Sequence, residues 1–205
     1  MKKYPDTIPV FPLSGVIYFP KTNLPLNIFE ERYLKLVNDA YNKDKLMGMV
    51  QSKKEGKSVY QIGCLGKISD YQKIKDGRIL INLVGISRFK ILEEISSDKL
   101  YREFIVDYKL FSEDNNNIQN EMDTKSLMEK IKTFFKRNGL LLNWKEFERL
   151  DQLQKINTLA MIAPVTNEEK QKLLESISAE DKINTLESIV SFYLHETGLN
   201  NQTIQ

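Results

Sequence analysis

Apolar residues recur at every third or fourth position from Phe29 to Tyr41, a spacing that predicts an amphipathic helix with one buried face. Asn27 precedes this stripe and Glu30 follows three residues later, which is the spacing of a capping box. The sequence therefore predicts a helix that begins at Asn27 and packs through one apolar stripe. The stripe consists of Phe29, Tyr33, Leu36, Val37, Ala40 and Tyr41.

Two short apolar runs precede this helix, Val10-Phe11 and residues 16–19, and a proline follows each of them. The Ser14-Gly15 pair between them is typical of a turn. We interpret the two runs as short strands on either side of that turn.

Beyond Val59 apolar residues alternate with polar ones, as in strands that bury one face. The Asp76-Gly77 pair supplies the positive φ of a tight hairpin between two such strands. Gly63, Gly66 and Gly85 interrupt the strands, as at bulges where a sheet curls. These features predict a small β-barrel. The alternating residues are Ile62, Cys64, Ile68, Ile79, Ile81, Leu83, Phe104, Val106, Tyr108 and Leu110.

A polar run from Ser112 to Asn120 separates two parts of the chain, because it has neither periodicity nor apolar content. We expect a first domain over residues 1–112 and a helical bundle over residues 121–199. The net charge is +6 before Ser112 and −4 from Ser112 onward. This difference favours either an acidic partner for the first half or attraction between the halves.

The second domain carries apolar residues at helical spacing in about four segments. One continuous helix is predicted from Trp144 to Ala160. Thr166 with Glu169, and Ser178 with Asp181, have the capping-box spacing that begins two further helices.

Composition and spacing indicate no catalytic, cofactor or metal site. Gly56-Lys57-Ser58 matches the end of a phosphate-binding loop, but that motif requires a glycine where this chain has Gln51. We interpret the segment as a solvated hairpin loop. His195, the single histidine, is expected at a helix end, and Cys64, the single cysteine, alternates with core residues. Neither indicates a general base, a reactive thiol or a zinc ligand.

The 205-residue chain has no apolar run of transmembrane length and no charged-then-apolar leader after Met1. With one cysteine it forms no internal disulfide. We therefore expect a cytoplasmic protein with no membrane partner.

Seven segments match one family in the order in which they occur. They are FPL at 11–13, FP at 19–20, LPLNIFEERY at 24–33, MGMV at 47–50, IGCLGKI at 62–68, DGRILINLVGISRFKI at 76–91 and INTLAMIAPVTNEEKQKLLE at 156–175. The chain thereby resembles the Lon N-terminal domain family, the substrate-binding region at the front of the ATP-dependent Lon protease, which also occurs as free-standing proteins. The resemblance implies an α+β fold, with a PUA-like β-barrel followed by an α-helical bundle.

The resemblance also implies a non-catalytic module that binds unfolded protein or peptide segments and recognises substrates for ATP-dependent proteolysis. The sequence has no Walker A glycines and no counterpart of the family's Ser–Lys peptidase module, so we expect no enzymatic activity. An RNA-binding PUA-like protein and a dimerising structural scaffold are alternatives, although no basic stripe with interleaved aromatics favours nucleic acid. The bound partner, action beside a protease and the oligomeric state stay open.

Seven residues are candidates for peptide binding, since arginine forks suit peptide carboxylates and proline-bordered strands offer rigid edges to which a peptide could add. The alternative is structural: Glu30 caps the helix, an arginine packs against it, and the aromatic residues belong to the core. The candidates are Phe11, Phe29, Glu30, Arg32, Tyr33, Arg88 and Phe89.

Overall fold

The computed structural model describes residues 4–53, 58–115 and 123–200. The chain forms two compact units, Met1–Asn116 and Asn117–Gln205, which we call the barrel unit and the helical unit. The division between them falls inside the polar segment 112–120. The α+β class is confirmed, because a six-stranded sheet is followed by a series of helices.

The barrel unit contains six strands, one helix and a closing 3-10 turn. The strands follow the order β2-β5-β4-β3-β1-β6 across the sheet, and β6 also pairs with β5. Five of the strands therefore close into a ring, and β2 extends β5 outside that ring. The elements are β1 (Thr7–Leu13), β2 (Asn23–Ile28), α1 (Glu31–Asn42), β3 (Leu46–Gln51), β4 (Ile62–Lys73), β5 (Ile79–Ile95), β6 (Arg102–Asp107) and the 3-10 turn Lys109–Asn115.

The length and bending of β5 allow this closure. It pairs with β4 along most of its 17 residues and then with β6 over its last part. The pairing shifts register next to Gly66, which lies opposite Gly85, so the bulge predicted at these glycines is confirmed. Gly77 has φ +92° in the turn between β4 and β5, which confirms the predicted hairpin. The ring encloses a core formed by Ile8, Val10, Val50, Leu65, Phe89, Phe104 and Val106.

Helix α1 packs on β1 and β3 through its buried face, which includes Leu36 and Val37. The predicted capping box at its start is wrong. Asn27 lies in β2 opposite Leu80, and the helix begins at Glu31 with Glu30 as its N-cap. Glu30 makes no side-chain cap hydrogen bond. Pairing with β5 holds Asn27 extended, so tertiary structure overrides the local capping signal.

The strand predicted at residues 16–19 is also wrong, since residues 14–22, all of them described, form no strand. Ile17, Tyr18 and Phe19 of this run are nevertheless buried, Phe19 at 0% exposure. Backbone hydrogen bonds from Lys21 to Gly85 and from Gly85 to Thr22 fasten the run to β5. Burial of an irregular segment thus produced the apolar pattern of a strand.

The segment predicted as a solvated hairpin loop around Gly56 lies outside the described residues except for Ser58. On its flanks, Ser52 and Val59 form an isolated antiparallel bridge, and the Lys53 N–H donates to the Ser58 carbonyl at 2.9 Å.

In its described part the helical unit has five α-helices rather than the predicted four. Contacts connect α6 to α2, α4 and α5, so α6 is the central helix. The helices are α2 (Lys125–Arg137), α3 (Trp144–Phe147), α4 (Gln152–Ile162), α5 (Asn167–Glu175) and α6 (Ala179–Asn200).

Side-chain caps begin helices α3 to α6, whereas Thr124 before α2 makes no side-chain cap hydrogen bond. The predicted box of Thr166 with Glu169 is confirmed by reciprocal hydrogen bonds, and Ser178 and Asp181 bond in the same way. The single helix predicted from Trp144 to Ala160 is wrong, because a capping box at Asp151 begins a new helix within that range.

Candidate functional site

A pocket of about 380 Å³ opens on the barrel unit. It lies where the end of β1, the start of α1 and the start of β6 meet, and we call it the aromatic pocket. Ligand pockets typically span about 300–1,000 Å³, so it is at the small end of that range. Its lining residues are Phe11, Pro12, Leu13, Ser14, Glu30, Arg32, Tyr33, Ser52, Leu100, Tyr101 and Arg102.

Two aromatic rings form the buried side of the aromatic pocket. The rings of Phe11 and Tyr33 lie 4.1 Å apart, and both residues are buried. The Tyr33 hydroxyl donates to the Pro12 carbonyl at 3.4 Å, which ties α1 to β1. Burial raises the pKa of Tyr33, so this hydroxyl stays protonated at neutral pH. The result is a preformed apolar surface with little freedom to rearrange.

Arg32 covers one side of this surface. Its guanidinium lies 4.6 Å from the centre of the Tyr33 ring, a cation–π contact. Its Nε and Nη2 donate to Glu30 Oε2 at 3.1 and 2.7 Å. The side chains of Arg32 and Glu30 are 54% and 45% exposed, so this ion pair is solvated and contributes at most about 1 kcal/mol to stability.

Arg102, the first residue of β6, is the second guanidinium of the aromatic pocket. Its Nε and Nη2 donate to the two carboxylate oxygens of Glu94 on β5 at 2.6 and 2.7 Å. These hydrogen bonds lower the pKa of Glu94, which therefore stays ionised. The bidentate pair fixes the guanidinium plane of Arg102 beside the pocket.

Tyr101 and Leu100 complete the rim. Tyr101 donates its hydroxyl proton to Asp39 Oδ2 of α1 at 2.9 Å. Burial, together with this hydrogen bond, raises the pKa of Tyr101 to about 12. Leu100 is 60% exposed, so it offers apolar surface that a ligand would bury.

The chemistry of this lining suits binding. Its described lining residues are mostly aromatic, aliphatic and hydroxyl side chains, with Glu30, Arg32 and Arg102 as the charged groups. Main-chain addition of a peptide is disfavoured at this end of β1. Pairing with β6 ends at Val10, and Pro12 beyond it has no N–H to donate to an added strand. A ligand would therefore be held by side chains.

Four of the seven predicted candidates line the aromatic pocket together: Phe11, Glu30, Arg32 and Tyr33. Phe29, directly before Glu30, is 66% exposed, but it does not line the pocket.

Arg88 and Phe89 lie elsewhere. Phe89 belongs to the barrel core at 0% exposure, and Arg88 is 3% exposed and pairs with Asp114. The structure thus places them inside the barrel unit rather than on a surface that a peptide reaches. The arginine that pairs with Glu30 is its near neighbour Arg32.

Sequence reasoning missed the part of the aromatic pocket that β6 supplies, which is Leu100, Tyr101 and Arg102. These residues stand just before the alternating segment that begins at Phe104. Their position became evident only from the pairing of β6 with β1, in which Arg102 lies opposite Val10. The nearness of Arg102 in β6 to Phe11 in β1 is therefore evident only when the pairing of the two strands is known.

A second hollow, of about 80 Å³, lies between α2 and α4 of the helical unit and is below the usual size of a ligand pocket. Within residues 4–53, 58–115 and 123–200, no cluster of histidine, cysteine or acidic side chains has the makings of a metal site. In the same ranges no helix combines the length and apolar character needed to cross a membrane.

Comparison with known proteins gives a consistent result. The family model of the ATP-dependent protease La (LON) substrate-binding domain matches residues 7–191. The chain is 25% identical over 208 residues to the Lon protease of Syntrophus aciditrophicus (strain SB), covering 94% of this chain and 26% of that protein. It is 26% identical over 200 residues to the Lon protease of Endomicrobium trichonymphae, covering 93% and 24%. The chain thus spans about a quarter of the length of these relatives.

Solved structures show the same fold. The N-terminal domain of Mycobacterium avium complex Lon protease superimposes with a TM-score of 0.67 at 16% identity, over 90% of this chain and 98% of that one. A Lon N-terminal domain protein from Xanthomonas campestris gives a TM-score of 0.62 at 20% identity, over 90% and 97%.

Proposed function

The chain belongs to the ATP-dependent protease La (LON) substrate-binding domain family, and we propose that its aromatic pocket holds unfolded or peptide-like segments of other proteins. We also propose that the chain itself catalyses no reaction on these segments. Presentation of those segments to an ATP-dependent protease and a cytoplasmic location are parts of the same proposal.

The observation that carries it is the combination of rigid aromatic and exposed aliphatic surface in one pocket. Phe11 and Tyr33 are fixed by mutual packing, so a ligand side chain meets them without a large ordering cost. Leu100, 60% exposed, loses water contact when a ligand covers it. Apolar side chains that folded proteins bury, and unfolded proteins expose, are the natural complement of such a surface.

Recognition through side chains also fits loose sequence requirements. Because Pro12 lacks the N–H that strand addition needs, the pocket selects a segment by its apolar side chain and not by an extended backbone. Many different unfolded segments meet that condition, whereas a folded protein buries most of its large apolar side chains.

The test compares two equally exposed leucines. Reduced and carbamidomethylated α-lactalbumin is the unfolded probe, native α-lactalbumin the folded one, and binding to the whole chain is followed by fluorescence anisotropy of the labelled probe. We expect Leu100→Ser to weaken binding of the unfolded probe roughly five- to tenfold, since apolar burial is lost. Leu92→Ser is the control, because Leu92 is also 60% exposed but does not line the pocket.

Equal affinity for native and unfolded α-lactalbumin, or equal weakening by both substitutions, would overturn the proposal. The non-catalytic part is tested separately by incubating the unfolded probe with the chain, with and without ATP and Mg²⁺. Intact probe is the expected result, and cleavage that follows the purified chain through a second column would contradict it.

The arginines of the barrel unit favour nucleic-acid binding less than they favour the proposed function. All four arginines of the barrel unit, which are Arg32, Arg78, Arg88 and Arg102, pair with carboxylates. A phosphate backbone is bound by rows of cations whose charge is not offset by neighbouring carboxylates, and its binding falls steeply with salt. We expect the chain to show no salt-dependent binding of single-stranded RNA above the background signal measured in buffer without protein.

A further inference from the structure

The two guanidinium groups of the aromatic pocket keep unused donors. An arginine side chain has five N–H donors. Arg32 donates through Nε and Nη2 to Glu30, and Arg102 donates through the same two atoms to Glu94. Within the described part of the chain, Nη1 of each residue donates to no protein acceptor. Each group therefore has three N–H donors left, two of them on Nη1.

The two groups reach the aromatic pocket from different elements, Arg32 from α1 and Arg102 from β6. Arg32 stacks on Tyr33 at 4.6 Å, and Arg102 lies opposite Val10, the residue before Phe11 on β1. Both residues line the pocket, as does Glu30, whereas Glu94 does not. The lining therefore has two positive charges and one negative charge, an excess of one cation.

A carboxylate is the ligand group that matches this arrangement. Its two oxygens accept the parallel N–H groups of a guanidinium edge, and such charge-assisted bonds are roughly twice as strong as neutral ones. The bonds to glutamate use Nε and one N–H of Nη2, so the edge formed by Nη1 and the second N–H of Nη2 makes no bond to glutamate. A ligand carboxylate thus does not need to displace Glu30 or Glu94.

We propose that the aromatic pocket recognises a carboxylate next to a large apolar side chain, with the apolar group on Phe11 and Tyr33 and the carboxylate on Arg32 and Arg102. This inference rests on the proposed function and names the class of segment that the site prefers. The carboxylate comes either from an aspartate or glutamate side chain or from a free C-terminus. Its chemistry is the same in both cases.

The experiment uses short peptides and isothermal titration calorimetry with the whole chain. Acetyl-Gly-Leu-Phe-Gly-Asp-Gly-amide is compared with the same peptide carrying Asn in place of Asp. Acetyl-Gly-Leu-Phe-Gly with a free C-terminus is compared with its amide. We expect each carboxylate peptide to bind about tenfold more tightly than its neutral partner, in keeping with a hydrogen bond between charged groups. Whichever pair shows the larger ratio identifies the source of the carboxylate.

Variants assign the preference to the two arginines. The double substitutions Arg32→Gln with Glu30→Gln, and Arg102→Gln with Glu94→Gln, remove each cation without leaving an unpaired carboxylate. We expect either to reduce the tenfold preference to about twofold or less, with the preference measured in each variant as the ratio of its affinities for the carboxylate peptide and the neutral partner. Arg78→Gln with Asp76→Gln is the matched control, because that pair joins residues two apart and is similarly exposed but lies outside the pocket.

The results separate failure of this inference from failure of the proposed function. Equal binding of carboxylate and neutral peptides, with Leu100→Ser still weakening both, overturns the carboxylate preference and leaves the proposed function standing. An equal loss of preference in the Arg78 control also overturns it. If no peptide binds and unfolded α-lactalbumin does not bind, both proposals fail. Circular dichroism spectra that match those of the unsubstituted chain establish that each variant is folded.

Discussion

Arg88 and Asp114 form a buried ion pair inside the barrel unit. The Arg88 guanidinium donates through Nη2 to Asp114 Oδ1 at 2.7 Å, and the Arg88 backbone N–H donates to Oδ2 at 2.8 Å. The side chains are only 4% and 5% exposed, and the guanidinium lies 4.1 Å from the centre of the Phe111 ring. The pair therefore fastens the 3-10 turn Lys109–Asn115 to the middle of β5.

Removal of Asp114 is expected to destabilise the barrel unit by about 3–5 kcal/mol, because it removes the buried carboxylate that pairs with the Arg88 guanidinium. The double substitution Arg88→Met with Asp114→Leu should recover most of that loss, since apolar residues of similar volume often replace a buried ion pair at little cost. Labelling of Cys64, 1% exposed and the single cysteine, reports opening of the barrel along a urea series. An Asp114→Ala midpoint equal to that of the unsubstituted chain would contradict the structural role.

Local sequence signals predicted much of the fold but not the pairing of its strands. The hairpin at Gly77, the bulge at Gly66 and the cap at Thr166 each depend on neighbours in sequence, and all three are confirmed. Asn27 failed as a cap because β5, more than fifty residues away in sequence, holds it in a strand. Long-range pairing decides such cases, and one sequence does not show it.

The candidate site divides in the same way. Phe11, Arg32 and Tyr33 were recognised because their motif is compact in sequence. Leu100 and Arg102 were missed because only the antiparallel pairing of β6 with β1 brings them to that motif. Arg88, which stands in an apolar setting like Arg32, differs from it through one distant carboxylate that no local pattern reveals.

The barrel unit is expected to lose stability at alkaline pH because Tyr101 ionises there. Its pKa, raised from the ordinary 10.0 to about 12 by burial and by Asp39, shows that the fold favours the neutral phenol. Its contribution is therefore complete below pH 10 and is lost as the pH rises toward 12. Tyr101→Phe should be about 1 kcal/mol less stable at pH 8, where the hydrogen bond to Asp39 is missing. Urea unfolding followed by circular dichroism should show this deficit shrinking between pH 10 and 11.5.

The other tyrosines do not obscure this comparison. Burial also raises the pKa of Tyr18, Tyr33 and Tyr108, but these groups titrate in both proteins. Asp39 keeps Lys35 as a partner at 3.0 Å in the variant, so no carboxylate is stranded. A deficit that stays constant from pH 8 to pH 11.5 would show that Tyr101 does not titrate as described.

Two glycines of the barrel unit should differ sharply in their tolerance of alanine. A Cβ at Gly85 would collide with the backbone carbonyl of Phe19 and lie 3.0 Å from the Cα of Pro20, neither of which a rotamer change relieves. A Cβ at Gly77 would meet open space, so Gly77→Ala costs only the strain of a positive φ, about 1–2 kcal/mol. We expect Gly85→Ala to cost more than about 3 kcal/mol, the upper end of ordinary overpacking. Urea midpoints from Cys64 labelling measure both, and equal costs would contradict the close approach.

Thr166 and Glu30 both occupy the N-cap position of a helix, but only Thr166 makes a side-chain cap hydrogen bond. Thr166 accepts from the Glu169 N–H at 3.2 Å, so Thr166→Ala should destabilise the helical unit by about 1 kcal/mol. Glu30 makes no such bond at α1, so Glu30→Ala should cost no more than a few tenths of a kcal/mol, the worth of an exposed ion pair. Fluorescence of Trp144, the single tryptophan, reports the helical unit in urea, and Cys64 labelling reports the barrel. If Glu30→Ala lowers the free energy of unfolding by 1 kcal/mol or more, Glu30 has a structural role. That role would then account for its position in the aromatic pocket without a ligand.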